Sequence, residues 1–216
     1  TNTNGYFNLA VGYKSLYKNT GNNNIGVGAY SLTNSTTGGS NLAIGYNSTQ
    51  VLATGSFNVG VGDQSLSAIT DGNYNVALGV IAGSTLTSGS SNILIGNNVQ
   101  TPTTTSSSTL NIGNLIYGDL TSAKKLGINT NAPAATLDIK GVGTTTNYAL
   151  IIRNSSSTAT VAVQDNGNFG IGTTSPTSKL QVVGLPTYAD NTTALAGGLT
   201  AGAFYRTSTG VLMVTY

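Results

Sequence analysis

The 216-residue chain has no cysteine, histidine, tryptophan or glutamate. Without cysteine there is no disulfide framework and no thiol redox chemistry. Without histidine, cysteine and glutamate, the usual acid–base pairs, nucleophile dyads and zinc ligand sets are missing. The six aspartates show neither paired-carboxylate spacing nor a calcium-loop pattern. Neighbours such as Ser122 and Lys124 are what chance supplies, and Gly26-Val27-Gly28 lacks the following helix that a phosphate loop needs. The expectation is a protein that is not an enzyme and holds no cofactor or metal. Charge is scarce as well: 6% of residues, with a formal net charge of +2. That leaves no basic stripe for nucleic acid and no polybasic membrane patch. No apolar run approaches the roughly 20 residues of a membrane-spanning helix, so no membrane insertion is expected. Thr1 does not open a signal peptide. Thr1–Gly5 reads instead like the turn before a repeat, as if the chain began inside a longer array, and Tyr216 reads as a natural end.

What is present is glycine (29 residues), asparagine, serine and threonine beside 38% hydrophobic residues. Low hydrophobicity and high net charge would mark disorder. This composition marks neutral, ordered β-structure. Asn41-Leu42-Ala43-Ile44-Gly45 is one of six copies of a unit whose leading asparagines are Asn8, Asn24, Asn41, Asn58, Asn75 and Asn92. The steps are 16, 17, 17, 17 and 17. Gly21, Gly38, Gly55, Gly72 and Gly89 keep a second period of 17. Two landmarks on one period indicate stacked supersecondary units.

Each unit reads Asn, bulky, small, bulky, Gly. Alternation with period two is a strand, and successive side chains point to opposite faces. Bulky pairs such as Leu42/Ile44 are expected to fill the interior, and the small Ala/Gly face is expected to admit a second chain. Seventeen residues accommodate two short strands and two turns, one coil of a narrow β-solenoid. Coils stack at about 4.8 Å, which would bring the asparagines into an amide ladder. The recurring Gly21 series is expected to be left-handed. One coil buries too few aliphatics to offset the entropy of ordering its backbone, so neighbouring coils and chains should supply the rest.

Thr101–Ser108 reads as a linker, and Asn111-Ile112-Gly113 as a reprise of the motif in a terminal coil. Two copies of another unit follow. Gly127, Pro133, Leu137 and Gly141 all recur 43 residues later, as Gly170, Pro176, Leu180 and Gly184. Each copy reads as strand, proline turn, strand. Tyr148–Arg153 and Thr158–Gln164 read as strands around a Ser-rich turn. A short helix or loop over 194–199 and a hairpin across 207–210 close the chain, with Phe204, Tyr205 and Tyr216 expected in a cap core. The organisation expected is a β-solenoid over 1–118, a β-shaft over 119–184 and a C-terminal cap over 185–216.

The Asn-x-Ala-Ile-Gly units with Thr-Gly spacers resemble the head repeats of trimeric autotransporter adhesins. They are similar too to the repeat regions of bacteriophage and large-virus fibre proteins. The Gly-Ile-Gly-Thr-x-x-Pro-x-x-x-Leu-x-Val unit resembles a segment of phage tail fibres, and Gly198–Thr207 the closing segment of many viral structural proteins. These resemblances imply an all-β fold: a β-roll followed by an intertwined β-shaft, in a homotrimer. They imply a structural fibre or spike on a virion surface that serves in host attachment, contacting other virion proteins and a host cell-surface glycan or protein. The alternative they leave open is a fragment of a bacterial surface adhesin that binds host matrix or glycans. An ice-binding solenoid would need regular Thr-x-Thr rows, which are missing.

Tyr13, Tyr17, Tyr30 and Tyr46 are the candidate ligand-binding residues. They crowd the early coils on the segment after the strand, where exposed rings beside Asn and Thr could stack on sugars. Packing over the coil turns is the competing reading.

Overall fold

The computed structural model describes residues 5–216. The expected turn at Thr1–Gly5 falls mostly outside them. The chain forms two compact units, residues 1–140 and 141–216.

The first unit is a β-solenoid of about six turns. One three-residue strand follows each leading asparagine: β1 (Leu9–Val11), β2 (Ile25–Val27), β3 (Leu42–Ile44), β4 (Val59–Val61), β5 (Val76–Leu78) and β6 (Ile93–Ile95). They pair in parallel, each residue opposite its equivalent in the next coil. The rest of a coil is turn, not a second strand. Those turns still stack by backbone hydrogen bonds, as where Leu32 N–H donates to Ser48 and Thr70 N–H to Thr87.

The faces are the reverse of the expectation. Ala43, Ala77 and Leu94 at the strand centres are fully buried, whereas Ile25, Ile44 and Leu78 lie 37–38% exposed. The interior is filled from the turns, by Leu16, Leu32, Leu52, Leu66, Ile69, Leu86 and Val99. A coil this narrow leaves no room for bulk from both the strand and the opposite wall. A Cβ at Gly60 would lie 2.5 Å from the Thr49 hydroxyl, so the strand supplies Ala or Gly while the wall supplies Leu. Leu94 follows the same rule. The wall has Gly83 where other coils carry Leu, and a Cβ there would meet the Leu94 side chain at 2.8 Å. Volume lost on one side is regained on the other.

The asparagine ladder forms, and it is buried. Asn58 is representative. Its Nδ2 donates to Asn41 Oδ1 at 3.2 Å and to the Gly72 carbonyl at 2.8 Å. Its own Oδ1 accepts from the Asn75 backbone N–H and Nδ2, both at 3.0 Å. Asn41 and Asn75 repeat the pattern, and at the ends Asn24 Nδ2 donates to Asn19 Oδ1 while Asn92 Oδ1 accepts from the Thr109 N–H. The side-chain amides of the ladder are thereby satisfied, which burial demands; among the described residues, the buried Ser35 hydroxyl is left without a partner.

The Gly21 series is not left-handed. Gly55 is glycine because a Cβ would come 2.2 Å from the Gly72 carbonyl oxygen of the next coil. The left-handed glycines belong to the other series; on Gly62, with φ 130°, a Cβ would also come 2.4 Å from the Gly79 carbonyl oxygen.

The coil period also runs through Thr101–Ser108. Thr87 N–H donates to Thr104, Asn92 Nδ2 to the Ser106 carbonyl, and Thr109 N–H to Asn92 Oδ1. β7 (Thr109–Ile112) stays parallel and in register with β6, Asn111 opposite Leu94. Thr109 thus takes the place of a leading asparagine, and Asn111 does not repeat the motif. β8 (Ile116–Asp119) and β9 (Lys125–Ile128) then reverse the direction, and β10 (Leu137–Ile139) lies parallel to β9, completing a ten-stranded sheet.

The second unit holds β11 (Tyr148–Arg153), β12 (Ala159–Gln164), β13 (Phe169–Ile171) and β14 (Leu180–Val182) in one sheet. The 43-residue repeat is structural. Leu126 pairs with Leu137 as Phe169 pairs with Leu180, both in parallel strands around a proline turn. In each, the side chain at the middle of the second strand caps that turn: Asp138 Oδ2 accepts from Ala134 N–H, and Gln181 Oε1 from Thr177 N–H. α1 (Asn191–Ala196) starts at a capping box between Asp190 and Thr193. The hairpin β15 (Phe204–Arg206) and β16 (Leu212–Val214) ends the chain. Of the expected aromatic core only Tyr205 is buried, edge-on to Tyr188; Phe204 and Tyr216 are exposed.

Candidate surface site

The four candidate tyrosines come together. Tyr30 stands edge-to-face with Tyr13 at 5.4 Å and with Tyr46 at 6.1 Å, so one ring from each of three successive coils builds a short aromatic ladder. Tyr17 joins through Lys14, whose Nζ lies 5.3 Å from the Tyr13 ring, 5.8 Å from Tyr30 and 5.9 Å from Tyr17. The local cause is simple. The glycine after each strand turns the chain outward, so the next two residues project beside their counterparts one coil away. Tyr13 and Tyr46 occupy the first of those places, Lys14 and Tyr30 the second.

These rings do not pack inside the coil. Tyr13 is 63% exposed and Tyr46 49%, with Tyr30 half-buried between them. At the far end Asp63 Oδ1 accepts from the Tyr46 N–H at 2.9 Å. The ladder therefore begins at a cation and ends at a carboxylate.

Two features escaped the sequence reading. Lys14 was a lone charge with no visible partner, and only coil stacking reveals its three rings. Phe57 and Tyr74, both in the place just before the leading asparagine, stack face to face at 5.0 Å. Their shared position on the 17-residue period was the available signal.

Acid–base chemistry has little to draw on. Among the described residues no group of three aspartates could hold a metal ion. Asp119 is held below the usual carboxylate range by hydrogen bonds from Thr121, and Asp190 by the N–H and hydroxyl of Thr193. Asp119 is half-buried and caps the turn at Thr121, whereas Asp190 is exposed and caps α1. No described helix is long and apolar enough to cross a membrane.

The other notable surface is apolar. Along the coils the outward residues of β1 to β6 form two continuous aliphatic rows, one from Leu9 to Ile93 and one from Val11 to Ile95. In the second unit, Ile171, Leu180, Val182, Leu185, Phe204 and Leu212 line an open apolar depression of about 400 Å³. No protein family, curated protein or solved structure matches the chain.

Proposed function

We propose that the chain is a structural segment of a virion fibre or spike, of the phage tail or capsid fibre type, acting in host attachment at the virion surface as a homotrimer. The observation that carries this reading is the double aliphatic row. Six coils at about 4.8 Å give a strip roughly 29 Å long, on the scale of the apolar patches that mark protein–protein contacts. Neighbouring copies of the chain are its occupants here, because equivalent residues in register would cover the strip along its whole length. This moves the contact from the Ala/Gly face, which is interior, to the Leu/Ile/Val face. Three chains are favoured over two by the resemblance of the repeats. The Gly-Ile-Gly-Thr-x-x-Pro unit favours a fibre; the Asn-Leu-Ala-Ile-Gly coil alone would suit a bacterial adhesin head equally well. The role is mechanical and adhesive rather than catalytic.

The test is mass measurement under native conditions. The reading expects three times the 21.8 kDa chain. Ile44→Asp combined with Val61→Asp should give a folded monomer with an unchanged far-ultraviolet spectrum. A native chain that stays monomeric at micromolar concentration would remove the trimer.

A further inference from the structure

We propose that the ladder of Tyr13, Tyr30 and Tyr46, with Lys14 and Tyr17, binds an anionic saccharide, one carrying a carboxylate, sulfate or phosphate. This rests on the attachment reading and names the ligand class for it.

Charge is the first argument. Lys14 and Lys18 are the only cations before Lys124, and both lie in the first coil beside Tyr13 and Tyr17. The two carboxylates of the coil region, Asp63 and Asp71, lie in the fourth. Among the described residues Lys14 has aromatic rings as neighbours and no carboxylate paired with it. Rings hold an ammonium in place without neutralising it. A cation already inside the aromatic cluster repels a cationic ligand and attracts an anionic one.

Shape is the second. β2 and β3 are paired with a neighbouring strand on both edges, so a peptide cannot add as a strand beside Tyr30 and Tyr46. Among the described residues, the cavity beside Pro102 and Pro133 and the one beside Ile171 and Leu212 are lined by none of these tyrosines. What the ladder offers is exposed ring surface and phenol hydroxyls repeated from coil to coil. A sugar matches this with an apolar C–H face for the rings and hydroxyls for the polar tips. Its acidic group would sit at Lys14.

The experiment titrates the full chain with a sialylated or uronate oligosaccharide, and with a neutral one of equal length, by calorimetry. The acidic sugar should bind tighter by roughly tenfold or more, and added salt should weaken it, as expected for one charge contact at an exposed site. Lys14→Glu should abolish that preference and Lys14→Arg keep it. Tyr13→Ala and Tyr46→Ala should weaken binding severalfold, while Tyr74→Ala leaves it unchanged. No binding, equal binding of the neutral sugar, indifference to Lys14→Glu, or equally tight binding of an acidic peptide would each overturn the proposal. The attachment reading fails separately. A chain that binds host cells regardless of Lys14→Glu refutes only the saccharide site, whereas a chain that binds no host cell refutes attachment.

Discussion

The coils of residues 8–108 and the unit of residues 141–216 are both β-structure with small cores, yet they solve burial differently. In the coils the same interior is rebuilt every 17 residues. Eleven buried hydrophobic residues form one continuous cluster there, and Asn41, Asn58, Asn75 and Asn92 inside are bonded to their own equivalents. In residues 141–216 the buried hydrophobic residues are Ala162, Ala194 and Tyr205, while Ile152, Ile171, Leu180, Phe204, Leu212 and Val214 are all exposed. The coils complete a core within one chain. The second unit places most of its large side chains outside. Repetition is what separates the two: a buried asparagine that meets its own copy at a fixed distance finds its hydrogen-bond partner there.

The greatest expected effect tests that self-pairing. Asn58→Ala leaves the Gly72 carbonyl and the Asn75 N–H buried without partners, and each such group costs about 1–3 kcal/mol. An unfolding free energy lower by about a few kcal/mol in total, read from urea titration, is expected; a change within error would mean that water or backbone shifts replace the ladder. Ala43→Phe comes next. Its neighbour Ile44 is 38% exposed, but Ala43 is fully buried, and overpacking should cost about 1–3 kcal/mol. Equal thermal stability of Ala43→Phe and the parent would return the Ala face to the surface. In the second unit, Tyr205→Phe removes a buried hydroxyl with no partner. The outcome expected is neutral to stabilising by about 1 kcal/mol or less, and a marked loss would expose a hidden bond. The smallest effect is one of pH. Asp190 is held below the usual carboxylate range by the N–H and hydroxyl of Thr193, so its folded pKa lies under its unfolded one. Its support of α1 is complete above the ordinary carboxylate range and disappears as acid carries the pH through the lowered value. Amide exchange at Thr193 should quicken there, while the coil interiors, which bury no ionisable group, stay unchanged.

Much of the coil region was legible because its signals were periodic. Asn24, Asn41, Asn58, Asn75 and Asn92 announced both the repeat and the ladder, and each strand begins one residue after its asparagine. The inside and outside of the strand were misjudged for a physical reason. "Bulky side inward" suits two sheets packed across a wide gap, whereas here the opposite wall is a turn carrying its own leucine. The same narrowness explains the glycines. Gly55 is required by a carbonyl one coil away, a cause that no local pattern contains. Residues 101–108 misled because Ser106 and Thr109 hold the backbone places of Gly and Asn with different side chains. Of the candidate site, the tyrosines could be found by crowding alone. Lys14 could not, since its value comes from rings in its own coil and the next.

Because every strand residue of one coil lies opposite the residue holding the same place in the next, the stack has no preferred length. Removing residues 58–74 would bring Asn41 against Asn75 and Gly45 against Gly79, pairs of the kind already present. Duplicating them would do the reverse. Such a rod can be lengthened or shortened only in whole steps of about 4.8 Å, and each step costs the gene 51 nucleotides. Gene-level slippage between copies would thus change reach while leaving the aliphatic strip and the amide spine uninterrupted.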